Sequence, residues 1–215
     1  CEYTFTLVSE VAGCTPPGIP IGGEIVSLTG GVSQVKVTLV STDPIFNQTA
    51  STDVQGSYQF SQNLPFGSDF YVRPSKNDDV SNGISTFDIV LLSKHVLGID
   101  TLDTPYQIIA ADINRSNSVT TFDVVELRKL VLGIYNVFPM NTSWRFVPQE
   151  FSFVNPYNPF LSPIPDSIAV VNLPDNNLSV FDFVAIKIGD LNLSAANEFN
   201  TPADDRAGAG LQFAL

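Results

Sequence analysis

Ser85 to Ile99 reads STFDIVLLSKHVLGI, and Thr120 to Ile134 reads TTFDVVELRKLVLGI. Thr, Phe, Asp, Val, Leu, Lys and the closing VLGI recur in register, so one helical unit is written twice. Each copy follows a short run rich in Asn, Asp and Ser: NDDVSNG at 77–83 and DINRSNS at 112–118. An oxygen-rich loop feeding an apolar helix, given twice, is the pattern of a paired calcium site. Calcium is a hard cation that takes about six to eight oxygens, and a twelve-position loop supplies them from positions 1, 3, 5, 7, 9 and 12.

With Asp88 at position 12, the first loop places Asn77, Asp79 and Ser81 at 1, 3 and 5, the Gly83 carbonyl at 7 and Ser85 at 9. With Asp123 at position 12, the second places Asp112, Asn114 and Ser116 at 1, 3 and 5, the Ser118 carbonyl at 7 and Thr120 at 9. Position 6, where the turn is sharpest, holds Asn82 and Asn117, and Asn accepts positive φ more readily than most side chains. Position 8 holds Ile84 and Val119, the apolar plugs that would set two loops back to back. Ser85-x-x-Asp88 and Thr120-x-x-Asp123 are also capping boxes, which need no metal. A third copy separates the two readings. Ser179-Val180-Phe181-Asp182 precedes FVAIKIGDLN, but its positions 1 and 3 are Val171 and Leu173. It is expected to be a helix that keeps the cap and has lost the ligands. Each complete loop has only two carboxylates, which predicts two weak structural sites with Kd of about 10⁻⁴ to 10⁻³ M.

Upstream, 21–75 alternates in strand fashion. Val35, Val37 and Leu39 alternate with Lys36 and Thr38, Tyr58 and Phe60 with Ser57 and Gln59, and Phe70 and Val72 with Tyr71 and Arg73. Gly30-Gly31, Gly56 and Pro65 to Gly67 punctuate them, which predicts a small antiparallel β-sandwich. Downstream, Val137 to Leu173 reads as strands and loops wrapping the helices, anchored by Trp144 and Phe146. Residues 192–208 read as a polar linker.

The chain of 215 residues is 44% hydrophobic with a mean hydropathy of +0.16, ample for packed cores. Its net charge of -12 and the lack of a basic cluster in the sequence argue against nucleic acid as a partner. No apolar run is long enough to span a bilayer. Cys1 and Cys14 are the only cysteines, read as a disulfide formed in an oxidising compartment or, alternatively, with Cys1 as a lipid-bearing residue. Cys1 to Val11 and the closing AGLQFAL alternate like strands whose partners lie in a neighbouring module or another copy. No catalytic constellation is read in the sequence: His95 is the sole histidine, mid-helix, no nucleophile, phosphate-loop or dinucleotide motif occurs, and a glycosidase-type carboxylate pair stays open by spacing alone although most acids are assigned or in linkers.

Two resemblances add to this reading. GGEIVSLTGGVSQVKVTLVS with Thr52, Gly56, Tyr58, Phe60, Leu64, Pro65 and Gly67 resembles the prealbumin-like, carboxypeptidase-regulatory-like modules of secreted bacterial proteins, which implies a non-catalytic spacer or a sugar-contacting accessory. The duplicated loop and helix resemble dockerin modules, and Gly189-Asp190-Leu191-Asn192 also looks like a dockerin loop opening. That likeness implies a cohesin-like partner met by Thr86, Phe87, Lys94, Thr121, Phe122 and Lys129. Ser at position 5, the long spacer between copies and the appended third unit depart from the dockerin pattern. N-x-S/T at Asn47 and Asn141, and the triplets Asp100-Thr101-Leu102 and Asp166-Ser167-Ile168, are candidate glycan sites.

The expectation is therefore an α+β multidomain chain. Residues 1–20 would be a strand and linker of a neighbouring module, 21–75 the sandwich, 76–195 a dockerin-like calcium domain with a third degenerate repeat, and 196–215 a linker and the next module's strand. Its expected role is that of a secreted, non-catalytic cell-surface or filament module. Neighbouring modules, further copies of itself, a cohesin-like domain or surface glycans would be its partners.

Overall fold

A computed structural model describes residues 18–174 and 180–197, and within them the chain is an α+β fold of two sheets and three helices. Both terminal strands expected from the sequence, the Cys1/Cys14 pair and Ser179 lie outside the described residues. Among those described, no helix is long and apolar enough to cross a membrane.

The first half supplies β1 (Gly22–Ser27), β2 (Gly30–Gly31), β3 (Lys36–Ser41), β4 (Gln48–Ser51), β5 (Ser57–Gln59) and β6 (Phe70–Ser75). Three helices follow, α1 (Thr86–Val96), α2 (Pro105–Ala111) and α3 (Thr121–Val131), and then β7 (Trp144–Pro148), β8 (Ile168–Val170) and β9 (Phe183–Lys187). One sheet runs β2-β1-β9-β7, with β5 also paired to β1; the other runs β4-β3-β6-β8. The alternation read in the sequence sets the inward faces: Val35, Val37, Leu39 and Val72 are fully buried, with Tyr58, Phe60 and Phe70 nearly so. Thr52 ties the turn between β4 and β5 to the start of β3, accepting from the Val35 amide and donating to the Val32 carbonyl.

The third repeat is a correction. FVAIK forms β9, not a helix, and lies in the sheet interior, parallel to β1 and antiparallel to β7. Asp182 caps no helix; its carboxylate accepts from the Glu24 amide. The physical reason lies in the run FVAIKI, which is apolar at nearly every position and rich in β-branched residues, as a strand buried on both faces requires. Phe183 and Ala185 point into the core between the sheets, while Ile186 and Ile188 join a second core with Leu92, Ile109 and Leu127 of the helices. β9 thus contributes to both the core between the sheets and the core with the helices.

The expected boundary at 75/76 does not separate two self-contained units. β8 completes one sheet by pairing with β6, and β9 and β7 complete the other, so these three strands return to finish the two sheets begun at 21–75. Trp144 and Phe146 are core anchors as expected, but of the sandwich and not of the helical layer.

Candidate metal centre

The second loop is organised around two fully buried carboxylates, Asp112 and Asp123. Asp112 Oδ1 accepts from the Ser116 amide at 2.8 Å and Oδ2 from the Asn117 amide at 3.0 Å. Asn114 Oδ1 also accepts from the Ser116 amide, and Ser116 Oγ donates to the Ser118 carbonyl. Asp123 closes the ring: Oδ1 takes the Asn114 amide at 3.2 Å, and Oδ2 takes the amide and hydroxyl of Thr120, completing the capping box of α3. Arg115 at position 4 and Asn117 at position 6 adopt φ of 57° and 60°, the left-handed turn anticipated for Asn117. Asn141 is buried and donates to the Asp112 and Ile113 carbonyls, so its side chain braces the loop.

Around Asp88 the same arrangement appears, but its opening half comes from elsewhere. Gly83, Ser85 and Asp88 occupy their expected places, with Asp88 Oδ2 accepting the Ser85 amide and hydroxyl in the capping box of α1. Asp88 Oδ1, however, accepts from the Leu191 and Asn192 amides at 2.8 and 3.2 Å, 103 and 104 residues away. Asp190 then repeats Asp112: Oδ1 takes the Ser194 amide at 3.0 Å and Oδ2 the Ala195 amide at 2.8 Å. Asn192 Oδ1 accepts from Ser194 as Asn114 does from Ser116, and Ser194 Oγ donates to the Gly83 carbonyl as Ser116 Oγ does to that of Ser118. Leu193 takes φ of 60°, matching Arg115.

Asn77, Asp79 and Ser81 stand apart from this ring. Asn77 Oδ1 accepts from the Ser143 amide, the carbonyls of Asp79 and Val80 receive the ammonium of Lys187, and the Ser81 carbonyl accepts from the Ile84 amide. The break between the two halves is sutured by Asn82, whose amide side chain both donates to the Ala196 carbonyl and accepts from the Ala196 amide. Gly83 makes this possible: it has φ of 74°, and a Cβ there would meet the Ala195 backbone at 2.6 Å. Gly189 is constrained in the same way, with φ of 87° and a would-be Cβ at 2.8 Å from Ile84 Cδ1. Residues 192–197, expected as loose linker, are instead held, and Asn197 bonds to Ser27, Thr29 and Ser33 beside β1 and β2. Ile84 and Val119, the expected plugs, both pack on the helical core.

Burial raises the pKa of Asp112, and the facing Asp123 adds to it against the amides of Ser116 and Asn117 and the charge of Arg145. Asp190 is raised by burial and by Asp88 in the same sense. Two buried carboxylates facing each other repel, and a cation between them would relieve both burdens. Among the described residues no three His, Cys, Asp or Glu side chains gather, so each ring combines two carboxylates with an amide, hydroxyls and a main-chain carbonyl. All of these donors are hard oxygens, a set that fits calcium and not a transition metal.

Of the other residues singled out, His95 has its pKa lowered by burial, and Nδ1 accepts from the Leu102 amide, a local tie after α1. Phe87 and Phe122 are 55% and 72% exposed, in matching registers on α1 and α3, whereas Phe181 is buried in the sandwich. The sequence did carry the signal for the split loop: DLNLS at 190–194 repeats DINRS at 112–116 at Asp, Asn and Ser. No protein-family model, curated protein or solved structure matches this chain.

Proposed function

We propose that this chain is a non-catalytic extracellular structural module stapled by two calcium ions, one held by Asp112, Asn114, Ser116, Ser118, Thr120 and Asp123. The other is held by a loop in two pieces: Asp190, Asn192 and Ser194 with Gly83, Ser85 and Asp88. The observation that carries this reading is the recurrence, around Asp88, of the second loop's hydrogen-bond ring with its opening half supplied by the far end of the fold. An ion there would tie together segments about a hundred residues apart. Constraining so long a loop removes more unfolded-state freedom than a local site would. The dockerin-like pattern and the surface-protein resemblance of the sandwich fit the same role, within a longer surface protein or fibre joined to neighbours by strand addition. Thermal unfolding in EDTA and in millimolar calcium tests the staple: a clear upward shift with calcium supports it, and coincident curves reject it.

A second reading, docking to a cohesin-like partner, is favoured by the paired exposure of Phe87 and Phe122. Pull-down with both changed to Ser discriminates it: loss of capture supports docking, and unchanged capture removes that face from consideration.

A further inference from the structure

A half-open cleft of about 640 Å³ is lined by residues of β6 and β7 and by Arg115 of the second loop. In a chain of net charge -12 with only ten Lys and Arg, it is lined by five of them: Lys36, Arg73, Lys76, Arg115 and Arg145. The folded chain therefore gathers a cation cluster that the linear sequence disperses. Among the described residues Asp166 is the one carboxylate lining it and pairs with Arg73, and Lys76 pairs with Asp78. Lys36 and Arg115 make no ion pair among the described residues.

Arg145 is the telling member. Its side chain is 13% exposed, and Nη1 is buried without a hydrogen-bond acceptor. The nearest carboxylate oxygen, Asp112 Oδ2, stands 4.0 Å away and already accepts from the Asn117 amide. Burial depresses the Arg145 pKa and the like charge of Arg115 adds to it, against the charges of Asp112 and Asp166. Arg145 Nη1 thus has a distant ion-pair partner in Asp112 but no hydrogen-bond acceptor among the described residues, and a guanidinium in that state beside a second arginine favours an added anion. We propose that the cleft binds the oxyanion, carboxylate or sulfate, of an organic ligand of saccharide size, held by Lys36, Arg115 and Arg145, which line it. Guanidinium groups match a planar or tetrahedral oxyanion with paired N–H donors. The volume of this half-open cleft lies within the range of small-molecule sites, about 300 to 1,000 Å³, and well above what a single ion needs.

The test is calorimetric titration of the folded chain, in millimolar calcium, with three probes: inorganic sulfate, a uronate disaccharide and neutral cellobiose. Sulfate and the uronate are expected to bind saturably, the uronate more tightly, and cellobiose not at all. Arg145→Gln should abolish binding. Because that buried change endangers folding, Lys36→Gln/Arg115→Gln, both surface changes, serves as the second variant and should weaken uronate binding by about tenfold. No saturable binding of either anion up to about 10 mM overturns the proposal. So does cellobiose binding as well as the uronate, sulfate binding without the uronate, or affinity unchanged in the double variant.

Discussion

Replacing Asp190 by Ala separates a loop built from one segment from a loop built from two. Asp190 is 3% exposed, and its carboxylate holds the amides of Ser194 and Ala195, while Asp88 holds those of Leu191 and Asn192. Without calcium, the change removes two charge-assisted hydrogen bonds and leaves the Ala195 amide wanting a partner, while the Ser194 amide keeps Asn192 Oδ1. Each such loss costs about 1 to 3 kcal/mol, partly recovered here by water at the nearby surface. With calcium, a second loss is superimposed. A site of Kd about 10⁻⁴ M at about 1 mM free calcium stabilises the fold by RT ln 11, about 1.4 kcal/mol, and this increment disappears with its ligand. The assay is denaturant unfolding of wild type, Asp190→Ala and Asp79→Ala, each in EDTA and in calcium. Asp190→Ala should lose stability in both buffers and retain only the second loop's calcium increment, while Asp79→Ala should keep the full increment. The reasoning is refuted if Asp79→Ala loses the increment and Asp190→Ala keeps it, because the ion would then belong to the contiguous loop 77–88.

Phe183 is fully buried at the centre of the sandwich, and Phe183→Ala should destabilise by about 3 to 5 kcal/mol in urea titrations. A helical third repeat with a free face would tolerate the change far better. Lys187 is buried against the Asp79 and Val80 carbonyls, and burial pulls its pKa down to about 8. The folded state therefore binds fewer protons than the unfolded state above pH 8, so stability should rise from about pH 8 toward 10.5, by up to about 3 kcal/mol. Lys187→Met, compared across that window, should abolish the rise. Because burial and a facing carboxylate raise Asp112 and Asp190, calcium stabilisation should fade on acidification at a higher pH than ordinary carboxylate protonation would give. Unfolding curves with and without calcium, stepped down in pH, measure this.

The strands of 21–75 were legible because one face of each is buried and the alternation survives in the residues, Val37 and Leu39 against Lys36 and Thr38. The capping boxes and the second loop were legible for a similar reason: every partner lies within twelve positions. β9 was not, because a strand buried on both faces loses its alternation, and FVAIKIG mimics the end of the helical repeats. On the proposed function, the first site takes its opening half from elsewhere, which reading along the chain misses because it assumes that ligands are contiguous. Asn77, Asp79 and Ser81 offer oxygens at the right spacing, whereas the fold brings in Asp190, Asn192 and Ser194 by running β9 past α1. Two unmatched halves were nevertheless in view, a helix whose loop lacks Asp at position 1 and a DLNLS opening with no helix after it. The cation cleft was illegible because its five members come from separate segments.

The most direct test is a crystal structure of the chain grown with calcium, with the ions identified by anomalous scattering. Two ions are expected, one inside 112–123 and one bridging Asp190, Asn192 and Ser194 to Gly83, Ser85 and Asp88. No ion at either ring, or a first ion seated among Asn77, Asp79 and Ser81, would contradict this expectation.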